Sequence, residues 1–114
     1  MANYSFTWNT LTYSESDGVV SVAANVEGTA EGFGTVAGTI TFRPAGYTSG
    51  TFDFVMVSYP ETGDSVIARG SGEHSLDAPG RWSTSGTSTL SNGDTYKHEG
   101  KIDLANRSWS GTFA

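Results

Sequence analysis

The sequence predicts an all-β fold, a single antiparallel up-and-down barrel of about eight strands in one domain over residues 1–114. Three observations carry this reading. Apolar and polar side chains alternate along most of the chain, the period-2 signature of half-buried strands. Turn chemistry interrupts that alternation seven times. The composition, with 15 Gly and 30 Ser or Thr but only two Lys and four Leu, lacks the helix formers that a bundle or a doubly wound α/β domain needs. At 36% apolar and 12% aromatic, the chain is too rich in core-forming residues to stay disordered.

The interruptions are Ser16–Gly18, Gly28–Gly34, Pro44–Gly50, Pro60–Asp64, Asp77–Gly80, Ser91–Asp94 and Ala105–Arg107. Asp-Gly and Asn-Gly supply the positive φ angles of tight hairpins, and Pro presets the first turn position. No gap is long enough for a crossover helix, so consecutive strands are expected to be antiparallel.

Parity then assigns faces, strand by strand. The first strand carries Tyr4, Phe6 and Trp8 on one side and then shifts to Leu11 and Tyr13, which a bulge near Asn9–Thr10 accommodates. In the second, Val20, Val22 and Val26 oppose Ser21, Asn25 and Glu27; in the third, Val36, Ile40 and Phe42 oppose Thr35, Thr39, Thr41 and Arg43. The fourth turns Phe52, Phe54 and Met56 inward, yet Val55, Val57 and Tyr59 make its other face apolar as well. In the fifth strand, an inward parity at Val66 and Ala68 would turn His74 to the same side. Trp82 and Leu90 set that of the sixth, Tyr96, His98, Ile102 and Leu104 that of the seventh, and Trp109 and Phe113 that of the eighth.

Eight one-sided strands must hide an apolar face and two sheet edges, and closure into a barrel hides all of them. Aromatics at alternate positions of the first and last strands (Phe6, Trp8; Trp109, Phe113) suit such a closure. A two-sheet sandwich is the rival arrangement. Gly38, Gly70, Gly72, Gly86, Gly100 and Gly111 fall inside strands, as bent barrel strands or ring-covered positions require.

Twelve acidic against six basic residues give a net charge of −6, which argues against nucleic acid and against anionic membrane surfaces. No run approaches the roughly 20 apolar residues of a membrane helix. Without Cys there is no disulfide framework and no thiolate metal site, and two well-separated His make no zinc centre. No phosphate-binding loop or nucleophile elbow occurs, so neither cofactor nor metal is expected. The opening Met1–Phe6 lacks the basic and apolar segments of a secretory signal, and a cytoplasmic location is the expectation.

An eight-stranded barrel is just wide enough to be filled by side chains or to hold one small ligand. From the inward parity, Trp8, Phe54, Trp82, Tyr96 and Trp109 are the candidate ligand-binding residues, for an apolar or aromatic small molecule. His98, an imidazole on an apolar face, is the candidate catalytic acid or base. His74 shares the inward parity but falls near a strand end, where a solvated rim position is expected. Asp53 and Arg69 are expected to form an ion pair across the outer wall. Val55, Val57 and Tyr59 nominate an interface, with a homo-oligomer as the expected partner state.

The segments Gly38-Thr39-Ile40-Thr41-Phe42, Ser49-Gly50-Thr51-Phe52-Asp53-Phe54, Gly70-Ser71-Gly72-Glu73 and Trp109-Ser110-Gly111-Thr112-Phe113 resemble the allene oxide cyclase-like, calycin-like small barrels. The resemblance implies a lumen that confines an apolar substrate, with cyclisation or isomerisation as the reaction class. It carries no catalytic motif residue by residue. Two other function classes compete with lumen binding: a non-enzymatic oligomeric interaction module with a filled core, and a sugar-binding protein using exposed Trp and acidic rim residues.

Overall fold

The computed structural model describes residues 1–114 and consists of eight strands. These are β1 (Ala2–Ser16), β2 (Val19–Ala30), β3 (Gly34–Arg43), β4 (Gly50–Tyr59), β5 (Ile67–Ala78), β6 (Arg81–Leu90), β7 (Thr95–Asp103) and β8 (Ser108–Phe113). They pair antiparallel in sequence order, and β1 closes on β8 from Ala2↔Phe113 to Thr7↔Ser108. The closed barrel follows from the one-sided alternation, and no second sheet exists.

The first hairpin shows how local chemistry sets the register. Asp17 and Gly18 both have positive φ (53° and 78°), the mirror-image turn whose twist matches that of the flanking strands. The register between β1 and β2 shifts between Trp8 and Thr10, so Asn9 is the bulge residue that returns Leu11 and Tyr13 to the inward side. Beyond the bulge β1 has no β8 partner, while its pairing with β2 continues to Ser16↔Val19. β2 in turn meets β3 only from Val22 onward. The far ends of β1 and β2 therefore form a ribbon that projects past one end of a molecule measuring 43 × 26 × 24 Å.

The core lies along the barrel axis, where Ile40, Phe52 and Trp109 are at most 2% exposed. Its filling is asymmetric. Gly72 pairs with Gly86 and Gly100 with Gly111, all on the inward parity, so a belt of glycines without side chains runs across β5–β8 at this level. Rings from the flanking strands cover these positions: Phe52 and Phe54 of β4 lie over their own cross-strand partners Gly72 and Gly70, and the Tyr4 hydroxyl of β1 reaches across β8 to lie over Gly100. Gly28, expected in a turn, belongs to this pattern too, because β2 runs through it to Ala30 and pairs it with Phe6 and Val36.

The expected Asp53–Arg69 pair does not form. The register places Asp53 opposite Ser71 and Arg69 opposite Val55, and Asp53 instead accepts a 2.9 Å hydrogen bond from Arg43 on the exposed wall. The outer face of β4 is apolar and open, with Val55 46% and Tyr59 58% exposed and Val57 half-buried between Ala37 and Ile67.

Candidate functional site

The lumen is not one space but two. At the end carrying both termini, a chamber of about 90 Å³ is walled by Tyr4, Phe54, His98 and Phe113 among others. At the ribbon end, a chamber of about 200 Å³ lies between Trp8, Phe42, His74 and Trp82. Trp109 is the one residue that lines both. Its indole Nε1–H donates to the buried Thr84 Oγ1 at 3.1 Å. Its ring sits 5.3 to 6.2 Å from those of Tyr4, Phe6, Phe52, Phe54 and His98. A hydrogen-bonded, close-packed indole of this kind is a fixed partition.

In the smaller chamber, His98 projects from β7 into a cage of Phe54, Phe52, Trp109 and Tyr4, with ring centroids 5.6, 5.9, 6.2 and 6.4 Å away. Neither imidazole nitrogen has a hydrogen-bond partner, and neither does the Tyr4 hydroxyl. Burial lowers the pKa of His98, which keeps the ring neutral. Burial also pushes the Tyr4 phenol up to about 12, against a smaller opposing effect of the nearby Thr84 and Trp109 polar groups. Phe33, Tyr96 and Phe113, all half-buried and 5.3 to 6.1 Å apart, cap this end.

The larger chamber is bounded on one side by the β3–β4 loop. Trp82 Nε1–H donates to the Thr48 carbonyl at 2.9 Å, Ala45 N–H donates to the Val20 carbonyl at 2.8 Å, and Leu76 N–H donates to Ser49 Oγ at 2.9 Å. The loop is thereby tied to β6, to the ribbon and to the end of β5. The Tyr47 ring lies 6.1 Å from Trp82. The mouth is apolar, with Leu11, Tyr13, Tyr47 and Leu104 all more than one-third exposed.

His74 is buried in this chamber rather than solvated at the rim. β5 continues to Ala78, which places His74 four residues inside the strand, and Ser49 ties the loop over the neighbouring Leu76. Its ring stands edge-on to Phe42 at 5.4 Å, only 4% of the residue is exposed, and its Nε2 has no partner. Burial lowers its pKa too. The signal was present in the sequence, since His74 shares parity with Ala68, Gly70 and Gly72.

The candidate residues named from sequence therefore divide. Trp8, Trp82 and Trp109 meet in the larger chamber; Phe54, Tyr96 and His98 line the smaller one, with Trp109 as the shared wall. His98 and Trp82 do not face a common cavity. None of the three tryptophans is exposed, so the exposed Trp expected of a sugar-binding surface is not among them. No protein-family model, curated protein or solved structure matches the chain. What the geometry establishes is a closed eight-stranded antiparallel barrel whose lumen carries an aromatic cluster, an arrangement compatible with ligand binding.

Proposed function

We propose that this barrel binds one small apolar or aromatic molecule in the larger chamber. One observation carries the reading: about 200 Å³ stays unfilled between Trp8, Phe42, Trp82 and Trp109. Protein cores rarely tolerate voids larger than a water molecule, whereas an apolar cavity of about 150 Å³ accepts benzene. The space thus fits one aromatic ring with short substituents. Burying roughly 150 Å² of such a ring at roughly 25 cal/mol per Å² contributes about 4 kcal/mol. Millimolar to sub-millimolar affinity is the expected range. Titrating single-ring apolar compounds while following tryptophan fluorescence tests this. A saturable change is expected, and no response across the panel overturns the reading.

An enzymatic extension follows from the resemblance to allene oxide cyclase-like barrels: confinement that favours cyclisation or isomerisation, with His98 as acid or base. Because His98 faces only the smaller chamber, its substrate must enter there, past Phe33, Tyr96 and Phe113. A second reading concerns assembly. The exposed Val55 and Tyr59, with Val57 between Ala37 and Ile67, support a homo-oligomer packed through β4. Light scattering is expected to give a dimer or larger species; a monomer at high concentration removes it.

A further inference from the structure

We infer that two copies of this chain associate through the free edge of the β1–β2 ribbon, β1 pairing antiparallel with β1 of a second copy about a two-fold axis at Tyr13. This surface is separate from both chambers and from the outer face of β4. The ribbon is open on one side only. Its β2 edge is covered where Ala45 N–H donates to the Val20 carbonyl at 2.8 Å. Along the β1 edge the ladder to β8 stops at Thr7↔Ser108, followed by one last bond from Trp8 N–H to the Arg107 carbonyl at 3.2 Å. From Asn9 to Ser16 every residue is exposed.

Ser16 and Val19 flank the two-residue turn, which makes them a hydrogen-bonded pair and leaves the alternate pairs Glu15↔Val20 and Tyr13↔Val22 non-bonded. The Val20 carbonyl, turned away from β1 to meet Ala45, agrees with this. The backbone N–H and C=O groups of Leu11, Tyr13 and Glu15 therefore point outward from the edge. Such an edge is a template for a further strand, and neither Lys nor Pro blunts it between Asn9 and Ser16.

The occupant that fits is the same segment of a second copy. The free stretch runs from Asn9 to the turn at Asp17, and Tyr13 is its midpoint. Two-fold pairing there sets Tyr13 against the partner's Tyr13 and Leu11 against the partner's Glu15, so all the outward-facing residues exchange hydrogen bonds. An axis one residue away sets Glu15 against the bulge at Asn9, or Leu11 against the turn at Asp17. Thr12 meets the partner's Ser14, a hydroxyl pair of the kind that supports sheets. In a chain of net charge −6, no carboxylate of the paired segments faces another. Glu15 lies opposite Leu11, and the partner's Asp17 falls opposite Asn9, beside the turn that carries Arg107. The axis is perpendicular to the sheet, so Leu11 and Tyr13 of both copies share one face. Each larger chamber, whose mouth Leu11 and Tyr13 line, gains the partner's Tyr13 at its rim.

Sedimentation equilibrium of the wild type and of Tyr13→Pro tests this, together with single cysteines placed in a chain that has none. The wild type is expected to show a concentration-dependent dimer. Tyr13→Pro removes the central outward N–H and no bond within the ribbon, so association should weaken at least tenfold with the barrel intact. Opposed hydrogen-bonded residues have Cα atoms about 5.5 Å apart, within disulfide reach, whereas the two Ser14 would lie about 7–8 Å apart, beyond it. Tyr13→Cys should therefore give a linked dimer on mild oxidation, and Ser14→Cys should not. These two variants decide the matter should Tyr13→Pro fail to fold. A monomeric wild type overturns the inference, and that includes an edge that accepts only foreign strands. A folded Tyr13→Pro that associates as the wild type does, or equal linkage at Ser14→Cys and Tyr13→Cys, also overturns it. Linkage at Val55→Cys with none at Tyr13→Cys overturns it while leaving packing through β4 in place.

Discussion

Alkaline pH should destabilise this barrel through a single buried phenol. Tyr4 is 6% exposed, its hydroxyl lacks a hydrogen-bond partner, and its pKa is raised from 10.0 to about 12. Above its unfolded-state value the phenol ionises in the unfolded chain while the folded chain still holds the proton. The unfolded state then binds fewer protons, so stability falls as pH rises through this interval. A shift of about two units at 1.36 kcal/mol per unit amounts to about 3 kcal/mol, present in full below pH 10 and lost by about pH 12. That is a large fraction of the 5–15 kcal/mol typical of a domain. Tyr4→Phe removes the titrating group and the orphaned hydroxyl together while keeping the ring that stacks on Phe6. At neutral pH the variant should be as stable as the wild type or about 1 kcal/mol more stable. Urea unfolding of both proteins from about pH 8 to about pH 12 measures the difference. The wild type should lose about 3 kcal/mol more than the variant across that range. Parallel losses in the two proteins would refute the reasoning.

Three further outcomes follow from the same packing. Both His74 and His98 have pKa values lowered by burial, so the stability they contribute is complete above their ordinary 6.5 and falls as pH drops below it. Thermal melts at mildly acidic pH should show His98→Phe losing less stability on acidification than the wild type. Gly72→Ala would drive a Cβ into the Ser85 carbonyl oxygen and set it 2.7 Å from Gly86 Cα, so the backbone of β6 must shift, and chemical denaturation should register a loss of about 3 kcal/mol or more. Trp109→Ala removes the partition and strands Thr84 Oγ1; a loss of about 3–5 kcal/mol is expected, with the two chambers merging in its crystal structure.

Local features of the barrel were legible because each has a short-range cause. The parity break between Trp8 and Leu11 required an extra residue, and Asn9 is that residue. Asp17-Gly18 fixed the first hairpin, and the aromatics of the first and last strands anticipated the closing pair Phe6↔Trp109. What escaped the sequence depends on distant contacts. Parity tells which side of a strand faces the lumen but not the level along the axis, which strand tilt and stagger determine. Hence Trp82 and His98 could be placed inside without showing that Trp109 separates them. The depth of His74 depends on the Ser49–Leu76 hydrogen bond, across 27 residues of sequence. The partner of Asp53 depends on register, which brings Arg43 rather than Arg69 to its carboxylate.

The account stands on an open apolar chamber inside a closed barrel, and a crystal pressurised with xenon probes that most directly, since xenon enters dry apolar cavities. Ordered xenon density between Trp8, Trp82 and Trp109, with β1 hydrogen-bonded to β8, is the result expected. Density showing those side chains collapsed onto one another, with no xenon among them, would contradict it.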